Sequence, residues 1–485
     1  MTTTPPARPP RPRIRRLVPG REPPTRHPRR GGLGTVSVGE RLTVHFTGVD
    51  PGGAAVARLG AVTLRVPFGV PGEDAVVDVT KGGRRAEGRL VVLLRKSPDV
   101  IQARCRHFGR CGGCQWQHLS LEAQRRLKTR LAKDYLKDHA EVRRDLVAEA
   151  TGDEGWAYRN TIRAVFAERD GVAIAGYHAG GSSRVLDIVE CPVQHPTNEA
   201  ILRAARHAVR SLRLPVYDRS TGTGLVRGVL GLTSFATGQA LLTLASVAPL
   251  PDPTALVHAL IDQVPGLVGI LHTVSPRQAV DLLGPRLRLL WGRDHIEEEI
   301  AGFRVRLRPT TELPASPRAM RLLVDAVVRA AAVRSDETAA DLAAATPVVT
   351  FALAQVAAGA VGVAPSRRVL TDAWEAAGWN GIGNASFTPR RSPAALMTMV
   401  GSRRPDVVVV QAEGPGLDPA LIGAVEAAGI PRAVYLARSL AVCARDLALW
   451  RGAGYAVASV QPVDLLPQTS HVHVVVALHR RRPLV

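Results

Sequence analysis

The sequence predicts a multidomain protein: a small β-barrel, then an α/β central domain, then a doubly wound, Rossmann-like parallel sheet. Three observations carry this. Between Val36 and about Leu94, short alternating apolar runs are separated by Gly- and Pro-rich turns, the pattern of a small closed barrel of the oligonucleotide-binding kind. From about Met320 onward, short apolar strands alternate with Ala-rich helices, and that alternation builds a mostly parallel sheet. A chain of 485 residues with 46% hydrophobic content exceeds what one core holds. The divisions read from these shifts are 1–35, a basic Arg/Pro tail; 36–98, the barrel; 99–310, the central domain; and 311–485, the Rossmann-like domain.

The first 30 residues hold nine Arg and nine Pro against one acid, Glu22, and carry +8 of the formal +21. Such an arm cannot bury a core and is expected to be disordered. It is either a solvated tail or a salt-sensitive binder of phosphate. The other +13 belongs to the remaining chain and points to a polyanion, nucleic acid before membrane. Barrel strands are read at Arg41–Phe46, Val62–Pro67, Ala75–Val79 and Gly88–Leu94. A charged amphipathic helix follows at Leu119–His139. The central domain shows strands at Thr161–Phe166, Val185–Val189 and Ala240–Leu244, and a helix from His195 to Leu212 that stops before Pro215. In the last domain a helix covers Arg318–Arg334. Strands follow at Thr338–Leu342, Ala360–Val363, Asp406–Val410, Ala433–Leu436 and His471–Leu478.

The longest apolar run, Val348 to Ala364, contains Gln355 and two glycines. It reads as a buried helix followed by a strand, not as a membrane span. No apolar segment follows the basic start, so no secretory signal is expected. Five cysteines in such a length do not make a disulfide scaffold. A cytoplasmic monomer is the expectation.

Four of those cysteines carry the most specific signal. Cys105, Cys111 and Cys114 lie on one short loop at x5 and x2 spacing, and Cys191 stands far downstream before Pro192. Three thiolates on a loop with a remote fourth suit a [4Fe–4S] cluster. Zinc is the rival, but its four-thiolate sites come as two close C-x2-C pairs, and one such pair exists here. Gly112 and Gly113 let the backbone turn tightly, with amides able to reach sulfur. Four ordinary buried cysteines are the remaining alternative.

Taken together, Cys105-x5-Cys111-Gly-Gly-Cys114-Gln-Trp-Gln-His118, Asp187-Ile-Val-Glu-Cys191-Pro, Tyr158-Arg159 and Gly176-Tyr-His178 resemble the RNA uracil-C5 methyltransferases that carry a TRAM domain and a 4Fe–4S cluster. Pro71-Gly-Glu73 looks like the TRAM turn. Ala444-Arg445-Asp446-Leu447 and Asp464-Leu-Leu-Pro467-Gln468-Thr469-Ser-His471-Val472 look like the last two catalytic-domain motifs. The resemblance covers most of the chain after the tail. It implies a class I S-adenosylmethionine-dependent methyltransferase domain, and a ribosomal or transfer RNA as partner. The family's chemistry adds a cysteine thiolate to uracil C6, passes the methyl to C5, and removes the C5 proton with a base.

Against that pattern this chain departs. Anchored on Ala444-Arg445-Asp446, Arg438 stands where the nucleophile belongs, and a guanidinium has no usable lone pair. Cys443, five residues on, is expected inside the following helix. His473 stands for the family's glutamate base. The glycine-rich cofactor loop becomes Asp341-Leu-Ala343-Ala-Ala345-Thr-Pro347, without the glycines that let backbone approach a ligand. Ala364 replaces the acidic residue that would hold the ribose hydroxyls. Gln411-Ala412-Glu413-Gly414 replaces the Asp-Pro-Pro-Arg turn, and Glu312-Leu313-Pro314-Ala315-Ser316 replaces a base-contacting segment. The expectation is therefore an RNA-binding, catalytically inactive family member, with no catalytic residue assigned, cofactor-binding residues unknown and S-adenosylmethionine doubtful. Cys105, Cys111, Cys114 and Cys191 are the expected cluster ligands. The alternative is an active uridine C5-methyltransferase of ribosomal or transfer RNA.

Overall fold

A computed structural model describes residues 34–311, 316–389, 401, 404–412 and 416–481. Positions 1–33 of the expected tail, Glu312 to Ala315, and Glu413 and Gly414 lie outside the described residues. The chain forms two compact units. Of the described residues, one comprises 34–131, His178–Arg184 and Leu466–His471; the other comprises Ala132–Tyr177, those within Val185–Leu465, and 472–481.

The first unit is built on six strands: β1 (Arg41–His45), β2 (Gly48–Val49), β3 (Ala55–Leu59), β4 (Val62–Val66), β5 (Asp74–Lys81) and β6 (Arg85–Arg95). Their hydrogen-bonded order is β1-β5-β6-β4-β3-β2, with β4 and β6 the parallel pair. Alternation decides the fold here. Leu42 and Val44, Ala55 and Ala57, Leu64 and Val66, Ala75 and Val77, and Ala86 all turn into one core, while their neighbours, apart from the buried Val76, are more exposed with period two. The sequence reading missed β2 and β3, whose Gly-Val and Ala-Val-Ala-Arg-Leu stretches are short and weakly apolar. After the cysteine loop, helix α1 (Leu121–Ala140) begins with Glu122 in its first turn, where a carboxylate complements the helix dipole.

The second unit holds two larger sheets. After the short β7 (Thr151–Gly152), the central sheet comprises β8 (Thr161–Arg169), β9 (Val172–His178), β10 (Val185–Asp187), β11 (Val226–Thr233), β12 (Ala240–Ser246), β13 (Leu267–Val274) and β14 (Leu287–Gly292). Its order is β10-β9-β8-β11-β12-β13-β14. Strands β11 and β12 are buried along their whole length, and α2 (Pro196–Ser211) packs over β11. Helix α3 (Pro253–Leu260) is capped by Asp252, whose carboxylate accepts from Ala255 N. A hairpin, β15 (Ile296–Ile300) and β16 (Phe303–Leu307), leads into the last sheet.

That sheet contains β17 (Thr338–Asp341), β18 (Gly359–Ala364), β19 (Ala385–Pro389), β20 (Val407–Gln411), β21 (Arg432–Ala437), β22 (Tyr455–Asp464) and β23 (His473–Arg480). The order is β19-β18-β17-β20-β21-β23-β22-β7. The first five strands are parallel, while β23 runs antiparallel to both β21 and β22. Five strand positions read from the sequence are present. β19 and β22 were not read, because a Pro ends one and a bulge between Val457 and Ser459 interrupts the alternation of the other.

The described helices of this region are α4 (Pro317–Ala331), α5 (Val348–Ala354), α6 (Arg367–Trp379), α7 (Pro419–Ala427) and α8 (Leu440–Gly452). Each start except that of α5 is written in the sequence. Ser316, Ser366, Asp418 and Ser439 accept from amides of the first turn, with Pro at the first helical position of α4 and α7. The run from Val348 to Ala364 is α5 followed by β18, as expected. No described helix is long and apolar enough to cross a membrane.

Candidate functional site

Ligands of a doubly wound sheet bind at the carboxyl ends of its strands. Asp341, Ala364 and Gln411 are the last residues of β17, β18 and β20. Arg438 follows β21 directly, and β23 enters the sheet at His473, with Val474 paired to Ala437. The structure thus gathers the positions singled out in the sequence along one edge.

The loop after β17 is closed on itself. Leu342 N donates to Val409 O at 2.9 Å, Ala344 N to Val363 O at 3.0 Å, and Ala345 N to Ala343 O at 2.8 Å. Ala343 N donates to Asp341 Oδ1 at 3.2 Å, and Thr350 Oγ1 donates to Asp341 Oδ2 at 3.0 Å. Asp341 is buried, and that burial pushes its carboxyl up to about 6 against the pull of these two hydrogen bonds. The amides of Leu342 to Ala345 are all bonded to the protein, and alanine side chains stand where a glycine loop would leave room. Ala364 is fully buried and offers no polar group.

At the end of β21 the exposed Arg438 takes a partner from the neighbouring strand. With the Gln411 amide oriented oxygen-inward, its Oε1 accepts from Arg438 Nη2 at 2.7 Å and Nε at 3.2 Å. Helix α8 then starts at its Ser439 cap and turns Cys443 into the core, where the side chain is 0% exposed. Burial, reinforced by the carboxylate of Asp446, drives the Cys443 thiol far up. A thiol so placed supplies no thiolate at neutral pH. Asp446 is also buried, accepting from Tyr435 Oη at 2.7 Å, Leu417 N at 2.9 Å and Arg445 Nε at 2.9 Å. The Ala444-Arg445-Asp446 motif therefore ties α8 to β21 and to the start of α7. Tyr435, which completes this network, was missed because nothing in its apolar strand marks it as polar-partnered.

The four predicted cluster ligands divide between the units. Cys105, Cys111 and Cys114 belong to the first, and Cys191 to the second. Cys105 is buried; its amide donates to Gln117 Oε1 at 3.1 Å, and its sulfur accepts from His107 N at 3.3 Å. The Cys111 sulfur accepts from Gly113 N at 3.4 Å, the type of amide–sulfur contact the sequence suggested, and burial raises its thiol. Gly112 N donates to His178 O at 3.1 Å, and a Cβ there would lie 3.4 Å from Gly180 Cα, in ordinary contact. Cys191 N donates to Glu199 Oε1 at 2.5 Å. Among the described residues, no three His, Cys, Asp or Glu side chains are grouped so that they could hold a metal ion.

The motif read as the end of the catalytic domain splits. Asp464 closes β22, whereas Leu466–His471 belongs to the first unit. There Gln468 O accepts from Gln115 N and Trp116 N at 3.0 and 2.9 Å, and Gln124 Nε2 donates to Gln468 Oε1 at 3.0 Å. Its residues brace the cysteine loop.

No family model matches the chain. Over 432 residues it is 30% identical to an uncharacterized RNA methyltransferase of Halalkalibacterium halodurans, covering 88% of this chain and 94% of that protein. It is 32% identical over 457 residues to an uncharacterized RNA methyltransferase of Gloeobacter violaceus, covering 92% of this chain and 98% of that one. Among solved structures, the fold matches Pyrococcus abyssi tRNA (uracil-54, C5)-methyltransferase in complex with S-adenosyl-L-homocysteine. The TM-score is 0.69 at 20% identity, covering 90% of this chain and 99% of that one.

Proposed function

This chain belongs to the RNA methyltransferase family, and on that premise we propose that it is an S-adenosylmethionine-dependent methyltransferase of structured RNA. Uridine C5 of ribosomal or transfer RNA is the proposed target. The observation that carries this reading is similarity to RNA methyltransferases along nearly the whole chain, supported by the formal charge of +21. It displaces the inactivity and the doubt over S-adenosylmethionine expected from the sequence, since a protein of the same fold was solved with the demethylated donor. The residues after β17 do not fit that donor as a glycine cradle would, so its seat on this chain has to differ from that loop.

The same reading makes residues 36–98 a TRAM barrel and assigns a [4Fe–4S] cluster to Cys105, Cys111, Cys114 and Cys191, in a cytoplasmic protein. What supports the cluster is the spacing of the thiols and the two amides donating to Cys105 and Cys111 sulfurs. When bound, it would cross-link chain segments; the methyl transfer needs nothing from it.

One specific observation favours a second reading, in which the protein binds RNA and transfers nothing. Arg438 occupies the strand end, and the one cysteine of that helix, Cys443, is sealed in the core. Methyl-labelled S-adenosylmethionine, the purified protein and RNA from a deletion strain decide between them. Label entering RNA as 5-methyluridine, missing from the same strain, supports methyl transfer. Unlabelled RNA and an unchanged nucleoside content would leave the second reading standing.

A further inference from the structure

The loop joining β4 to β5, Pro67-Phe-Gly-Val-Pro-Gly-Glu73, holds its phenylalanine in an unusual backbone. Phe68 has φ of 64°, in the left-handed region that a bulky L-residue rarely adopts. Such strain persists only where the surroundings over-determine it, and it clusters at functional positions. Here both flanks are pinned. The fully buried Glu73 accepts from Val70 N at 3.0 Å and from Ser97 N at 3.4 Å. Gly72 N donates to Phe46 O at 2.8 Å. Gly69 lies against the Phe46 ring, where a Cβ would stand 2.7 Å from a ring carbon.

The result is a Phe68 ring that stays partly exposed and meets a second aromatic from the cysteine loop. The Phe68 and Phe108 centroids are 5.3 Å apart at 76°, and the buried His118 ring lies 5.4 Å behind Phe108 at 31°. Phe108 is itself partly exposed and sits in Arg104-Cys-Arg106-His-Phe108-Gly-Arg110, a segment with three exposed arginines and no acid. Aromatic faces fixed among guanidinium groups are the arrangement by which proteins seat unpaired bases and hold the adjoining phosphates.

We propose that Phe68 and Phe108 form a stacking seat for one unpaired RNA base, with Arg104, Arg106 and Arg110 meeting the phosphates beside it. This rests on the RNA reading above and adds to it the part of the RNA, a single-stranded base, and the residues that take it. A strained but rigid loop suits the task, because the ring is ordered before RNA arrives and little conformational entropy is lost on binding.

The test uses the full-length protein and a fluorescein-labelled 12-nucleotide oligouridylate, followed by anisotropy, with a labelled RNA duplex as control. Phe68→Ala and Phe108→Leu are expected to weaken oligouridylate binding by about 10-fold, the loss typical of one stacked base, and to leave duplex binding unchanged. Phe68→Gly separates seat from scaffold: it relieves the left-handed strain, so it should melt no lower than Phe68→Ala while losing the same affinity. Oligouridylate binding by all three variants equal to that of the wild type, with the wild type binding well, would overturn the seat and leave RNA binding intact. A wild-type protein that binds neither the oligonucleotide nor bulk ribosomal and transfer RNA would overturn the RNA reading itself, and the seat with it.

Discussion

Two loops, each following a strand and each organised by a carboxylate, have taken opposite courses. In the first unit, Glu73 gathers the amides of Val70 and Ser97 and holds Phe68 outward in a strained backbone. In the second, Asp341 takes one amide from its own loop and one hydroxyl from α5, burial lifts its carboxyl toward neutrality, and alanines fill the turn. The first loop is poised for contact and the second is closed on itself. The cores behind them do not differ in this way. Val407–Val410 and Val474–Leu478 are buried throughout, like the inward side chains of the six-stranded sheet. A sheet's interior and the chemistry one residue past its strand ends are therefore separable, and substitution at the edge leaves the scaffold intact.

The largest effect is expected behind that edge. Asp446→Ala leaves Tyr435 Oη and Leu417 N without their buried acceptor and should destabilise the second unit by about 3 to 4 kcal/mol in denaturant unfolding. A loss below about 1 kcal/mol would show that the edge, not this network, holds α8 in place.

The closed loop makes its own pH signature. Asp341 titrates at about 6 when folded against a reference of 3.8, so the folded state binds the extra proton. Its contribution is complete below about pH 4 and is lost as pH rises through about 6. The wild type should therefore lose roughly 2 to 3 kcal/mol of stability relative to Asp341→Asn from pH 4 to 7. A pH-independent difference would mean that the carboxylate stays charged in the fold.

In the open loop, Glu73→Ala strips two amides of their partner and should cost about 2 kcal/mol. It should also lower oligouridylate affinity, because Phe68 is no longer held; full affinity after that loss would detach the ring's position from the carboxylate.

The smallest effect belongs to the buried thiol. Cys443→Ser should cost about 1 kcal/mol and leave methyl incorporation, at whatever level the wild type shows, unchanged. Loss of incorporation with the fold retained would make Cys443 the nucleophile after all.

How much of this was readable beforehand depends on whether the signal is local. The parallel strands were legible because a strand covered on both faces is an apolar run, as in Val407–Val410. The Ser and Asp caps that start α4, α6, α7 and α8 are local signals too, though the starts of α6, α7 and α8 were not read from them. Strand β22 was not, since its bulge and Pro462 break the period. The site was legible by position, with Asp341, Ala364, Gln411 and Arg438 all at strand ends, but the Gln411–Arg438 hydrogen bonds join residues 27 apart in sequence. No local pattern encodes such a pair.

By itself, then, the sequence determined the apolar parallel strands β17, β18, β20 and β21, the residues at their ends, and that the chain is strongly cationic; each follows from periodicity and composition. Only the tertiary structure decided that β23 turns antiparallel beside β21, that Leu466–His471 braces the cysteine loop, and that Phe68 meets Phe108. These are pairings between distant segments. They are selected by which surfaces bury together and which polar groups find partners, and those quantities exist only once the chain has folded.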